Sequence, residues 1–152
     1  MASPFPFTSG QVLTAAQLNS IGETTAFTPS WTNFTPGNAV EDWYYTQVND
    51  LVIVTGATTL GSTSSVTGLI TMNEPVGTMA VTSSVVYGNA LLRDDAPGSN
   101  FAGVWQASGG NFILLALNAA GTYAAFVGAT ATVPHTWATS DVIAGTIAYQ
   151  LS

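Results

Sequence analysis

The chain has no cysteine and no lysine, and its single arginine, Arg93, faces eight acidic residues and one histidine, for a net charge of −7. Without cysteine there is no disulfide framework, thiol nucleophile, iron–sulfur cluster or zinc knuckle, and the composition says nothing about redox compartment. Affinity for phosphates comes from Lys and Arg releasing counterions, so one arginine argues against nucleic acid as a partner. The same shortage argues against an anionic membrane surface. The longest strongly apolar run covers only residues 112–120, far short of the ~20 residues that span a bilayer as a helix. The opening residues 1–7 carry two prolines and no positive segment, so entry into a secretory pathway is not expected.

Charged residues make up only 6% of the chain, where a soluble domain ordinarily has about a quarter. What is present instead is 47% hydrophobic sequence over 152 residues, enough for one core that buries roughly 70% of the unfolded surface. Ser, Thr, Asn and Gly must then cover the exterior. They hydrate well but repel neighbouring molecules poorly compared with interspersed charges. Such a surface tolerates close contact, which favours a subunit built to be packed against others.

Two regions are expected, an attachment segment over residues 1–26 and a β-domain over 27–152. Residues 1–11 are rich in Pro, Phe, Ser and Gly without a period, and read as an extended arm. Thr14 and Gln17 then have the spacing of a capping box, Leu18 and Ile21 recur at helical spacing, and Gly22 can end the short helix in a left-handed conformation. One or two turns are not stable alone, so this helix must dock on something. The residues expected to make that attachment are Phe5, Phe7, Val12, Leu13, Thr14, Gln17, Leu18 and Ile21.

From Phe27 onward the chain reads as short strands between turns, the pattern of an all-β antiparallel sandwich of jelly-roll type. Strands are expected near residues 27–32, 43–48, 51–60, 66–72, 79–93, 101–107, 111–118, 123–133 and 142–151. Asn49-Asp50 and Gly109-Gly110 are two-residue connections that favour positive φ and tight hairpins, and residues 94–100 form the strongest turn. Residues 112–117 and 123–133 carry apolar side chains at both parities. A strand with one wet face should alternate, so a second surface is expected to cover them.

The residues that could carry chemistry are few. His135 is the only near-neutral acid or base; Ser140 and Asp141 lie nearby, but without a nucleophile elbow the three read as a loop in which the histidine bonds backbone. Glu41-Asp42, Glu74 and Asp94-Asp95 read as solvating or capping acids rather than a catalytic pair, because adjacent strand residues face opposite ways. Asp94, Asp95 and Asn100 offer oxygens to a cation, yet they lack the regular spacing of a calcium loop and adjoin Arg93, so they read as a turn. No catalytic, cofactor or metal residue is assigned. Among Trp31, Trp43, Tyr44, Tyr45, Trp105 and Trp137 most should be core, with Trp43, Tyr45 and Trp137 as candidates for an exposed recognition surface.

The stretch Phe7-Thr-Ser-Gly-Gln-Val-Leu-Thr-Ala-Ala-Gln-Leu-Asn19 resembles the opening of many virion proteins of tailed bacteriophages, among them tail-fibre, minor tail and head-fibre or capsid-decoration proteins. Looser matches, Thr59 to Gly68 followed by Pro75, and Thr136 to Asp141 with Tyr149, look like the β-domain attached to that opening. The resemblance implies a non-enzymatic structural subunit located in the virion, often a homotrimer, whose N-terminal segment attaches to other capsid or tail proteins while the β-domain projects. A tail-tip protein gripping a host surface glycan is the alternative. The resemblance carries over no catalytic residue.

Overall fold

The computed structural model describes Gly10, Val12, Thr14, Ala15 and residues 21–152. Ten strands follow in chain order: β1 (Thr24–Phe27), β2 (Trp31–Thr35), β3 (Val40–Val48), β4 (Leu51–Thr59), β5 (Ser65–Asn73), β6 (Ser83–Asp94), β7 (Ser99–Ser108), β8 (Asn111–Asn118), β9 (Ala125–Gly128) and β10 (Val142–Gln150). Every pairing is antiparallel. The hydrogen bonds join the strands into one sheet of order β1-β3-β4-β10-β6-β7-β8-β5-β2, with β9 added on β8. The all-β antiparallel expectation therefore holds. The sheet curls into a half-barrel, and the ladder itself is not divided into the two sheets of a jelly roll. Most of the helix expected before Gly22 lies outside the described residues, although Gly22 takes the left-handed φ of 75° expected of it.

Turn chemistry explains the hairpins. Asn49 sits at φ 53° between the paired residues Val48 and Leu51, and asparagine tolerates that region because its short side chain bonds locally. Gly109 and Gly110, at φ 59° and 82°, join Ser108 to Asn111, the backbone that a two-residue primed turn requires. Asp94 pairs with Ser99 across the β6–β7 turn.

Three expected strands are shorter or broken. The one expected over 27–32 is interrupted at residues 28–30, because β1 pairs with β3 near one end of the sheet while β2 pairs with β5 at the other, and Pro29 in the crossing has no ladder donor. The one expected from Met79 starts only at Ser83, and Met79 makes an isolated bridge to Leu151. The one expected over 123–133 keeps only β9. There the chain wedges between β8 and β5: Ala129 N donates to Leu114 O at 2.9 Å and Ala129 O accepts from Ile70 N at 3.0 Å.

A row of small residues crosses the inner face of the curl. The register aligns Trp43, Gly56, Gly145, Ala90, Gly103 and Ala116 on successive strands. A Cβ at Gly56 would stand 2.7 Å from Trp43 Cα, and one at Gly145 would stand 2.5 Å from Trp105 Nε1. The two indoles thus lie flush on the backbone of β4 and β10, and the sheet bends around them. Trp31, Trp43 and Trp105 meet with ring centroids 6.1–6.4 Å apart. Trp31 stands on β2 and Trp43 on β3, near opposite ends of the strand order, so their contact closes the core. Trp31 Nε1 donates to Glu41 Oε1 at 2.6 Å across that seam. A second aromatic group, Tyr87, Phe112 and Tyr149, fills the other half. Tyr149 donates to Val76 O at 2.8 Å, and burial pushes its phenol well above the ordinary tyrosine range.

Candidate functional site

Strand parity decides where the candidate recognition residues point. Trp43 is 1% exposed and donates through Nε1 to Thr58 Oγ1 at 2.8 Å, so the expectation that it is an exposed recognition residue is corrected: it faces Gly56, the one partner that leaves room for it. Tyr45 and Trp137 pack against the core and are half-buried, and Trp137 Nε1 donates to Thr130 O at 2.8 Å. The outward member of the 43–45 run is Tyr44, 42% exposed. Of the expected attachment residues, Phe5, Phe7, Leu13, Gln17 and Leu18 lie outside the described residues. Val12 and Thr14 are exposed and Ile21 is half-buried.

The convex face of β3, β4, β10 and β6 is unusual in what it lacks. One row across it reads Tyr44, Thr55, Thr146, Asn89, and the next Asp42, Ala57, Ala144, Leu91. Outward at its ends stand Val40 and Ile53, and Thr55 and Thr146 approach hydroxyl to hydroxyl at 3.4 Å. Asp42 and Arg93 are the only charged residues of these four strands that share the face, since Glu41 turns inward to Trp31 and Asp94 is half-buried. Val40, Tyr44, Val48, Leu51, Ile53 and Leu91 are each at least 41% exposed there. Scattered exposed apolar residues are ordinary; a face of small and apolar residues with two charges has the composition that contact surfaces share. Sequence reasoning sought two-sided strands at 112–117 and 123–133 and passed over 51–54, where Leu51 and Ile53 alternate with the buried Val52 and Val54 in the same way. On the strands it did choose, Ile113 and Leu115 are half-buried, while Leu117 and Phe126 remain 40% and 47% exposed.

A second constellation lies at the far end of the sheet. Asp141, fully buried, accepts through Oδ1 from Asp95 N at 2.9 Å and through Oδ2 from Ala138 N at 2.7 Å. Its Oδ2 also faces His135 Nε2 at 3.1 Å. The His135 ring is held between Phe101, stacked at 5.4 Å, and Trp137 at 4.5 Å. Asp141 therefore ties the β6–β7 turn to the loop before β10. That loop is fixed on its other side, where Leu60 N donates to Asp141 O and Ser140 N to Leu60 O, both at 2.8 Å. The histidine thus bonds a carboxylate, not backbone as expected. Ser140 makes no hydrogen bond to His135, so the serine, histidine and aspartate do not assemble as a nucleophile–base–acid relay. The sequence places His135 beside Asp141; their link to Asp94 and Asp95 comes only from the fold. No family model, curated protein or solved structure matches the chain.

Proposed function

We propose that this chain is a non-enzymatic structural subunit of a tailed-phage virion, a decoration or fibre protein that attaches through its N-terminal segment and associates with copies of itself, as a homotrimer. The observation that carries this reading is the convex face of β3, β4, β10 and β6, where apolar and hydroxyl side chains are exposed and only Asp42 and Arg93 are charged. Burying apolar area is worth about 25 cal/mol per Å², and a face this poor in charge loses little hydration when it meets a partner. The similarity of residues 7–19 to phage virion openings points the same way. In this reading the curled sheet works as a jelly-roll-like sandwich, its two arms facing across the tryptophan core.

Sedimentation of the full chain at micromolar concentration tests the proposal. The wild type should run as a closed oligomer, and Ile53→Glu with Leu91→Asp should run as a folded monomer, because two charges placed in a dry interface oppose its formation. A wild type that is monomeric and binds no virion component would overturn it. Tyr123, 85% exposed and three residues before the 47% exposed Phe126, favours a second reading, a glycan-gripping tip, since exposed aromatic rings stack on sugars. Saturable binding on a glycan array that Tyr123→Ala abolishes would place this reading first.

A further inference from the structure

We infer that, in the assembled protein, Asp42 of one copy binds Arg93 of the partner subunit, head to tail around a closed ring. This inference rests on the self-association through the convex face proposed above, and it names the contact that sets the register of that association.

The charges of the chain leave few choices. Arg93 is the only arginine and there is no lysine, and His135 is buried against Asp141 at the end of the sheet. Asp42 is exposed on β3, and its side chain makes no hydrogen bond or ion pair with any described residue. The register excludes a pair within one chain. The row through Asp42 runs Ala57, Ala144, Leu91, and the row through Arg93 runs Val142, Thr59, Val40. Three strand spacings put the two residues roughly 14 Å apart across the face, and the step between the rows adds roughly 7 Å along it. An arginine side chain does not cover that distance.

On a monomer, water solvates Asp42, and an exposed ion pair there contributes little. A contact through a face of apolar and hydroxyl side chains strips that water away, and an unpaired buried charge strongly opposes association. In an assembly of identical chains, the basic side chain left to meet it is Arg93 of the partner subunit. Arg93 has room for a second carboxylate. Its Nη2 holds Asp95 Oδ1 at 2.7 Å while the two side chains stay 46% and 41% exposed, and a guanidinium offers five N–H donors. One acid and one base on an otherwise uncharged face also match in few registers, which gives the contact its specificity.

The places of the two charges give the order of the copies. Asp42 lies on the β3 flank and Arg93 on the β6 flank of the same four strands. Convex surfaces gathered about a threefold axis touch along their flanks. The β3 flank of each copy then meets the β6 flank of the next, the heterologous contact that closes a ring. Each copy gives its carboxylate to one neighbour and its guanidinium to the other.

Sedimentation equilibrium of the full chain tests the contact. Asp42→Arg and Arg93→Asp should each raise the midpoint concentration of assembly at least tenfold, and the double variant, which exchanges the charges, should return to within threefold of wild type. Asp95→Asn should assemble as wild type does, since Asp95 only shares the guanidinium. An equimolar mixture of the two single variants separates a ring from a two-fold dimer. In the dimer every contact between unlike variants is matched, whereas three copies in a ring always include one contact between like variants. The mixture should therefore assemble at least threefold more weakly than the double variant. The inference fails if wild type assembles and Asp42→Arg assembles equally well, or if the double variant does not recover. It fails also if Asp95→Asn weakens assembly as much as Arg93→Asp does, or if the mixture assembles as tightly as the double variant. A wild type that stays monomeric overturns the self-association itself.

Discussion

The two buried tryptophans at the centre of the core are held on different terms. Trp43 Nε1 has a partner in Thr58 Oγ1 at 2.8 Å, and Thr58 is itself fully buried. Trp105 Nε1 is buried with no partner among the described residues, its edge lying where Gly145 has no side chain. Replacing either by phenylalanine removes similar volume. Trp43→Phe also strands a buried hydroxyl, costing about 1–3 kcal/mol, whereas Trp105→Phe removes an N–H that was already unmet. Urea denaturation should therefore show Trp43→Phe to be the more destabilised by about 1–2 kcal/mol. Equal losses would mean that water satisfies Trp105 Nε1. The composition foretold that most of the aromatics are core, but not which of Trp43, Tyr44 and Tyr45 points out. That follows from the register opposite Gly56, a long-range pairing that no local pattern carries.

Elements whose ends are set by local turn chemistry were readable from the sequence, and those set by distant neighbours were not. The β3–β4 and β7–β8 hairpins fall where Asn49-Asp50 and Gly109-Gly110 place them. The 123–133 segment alternates well enough to be a long strand, yet only Ala125–Gly128 pairs. The cause is the wedge of Ala129 between Leu114 and Ile70, which lies outside any window of local sequence. The same division runs through the loop site: His135 and Asp141 stand close in the chain, whereas Asp95, bonded to Asp141, is remote in sequence. A turn readable from local chemistry should also be sensitive to it. Asn49→Val puts a β-branched residue at φ 53°, where L-residues lose roughly 1–2 kcal/mol. Thermal unfolding followed by circular dichroism should show that loss, while Asn49→Gly should stay within about 0.5 kcal/mol of wild type because glycine takes this φ freely.

At the scale of the molecule, the N-terminal segment proposed to attach the chain meets the folded body close to Gly22. A boundary at residue 26 was expected, but β1 opens at Thr24 and pairs Thr24 through Phe27 with Thr46 through Trp43. Phe27 packs on the core. The body therefore starts about two residues after Gly22, whose left-handed φ turns the chain into the sheet. Removing residues 1–22 should leave the cooperative melt unchanged, since no ladder bond among the described residues is lost, and should abolish co-sedimentation with phage particles if the arm is the anchor. Removing residues 1–27 is different in kind. It bares the edge of β3, a row of unpaired donors and acceptors beside the exposed Tyr44 and Val48, and open apolar edges template aggregation. Light scattering should then rise for the longer deletion and not for the shorter one. If the shorter deletion also aggregates, residues before Gly22 cover part of the sheet and the attachment role moves elsewhere on the chain.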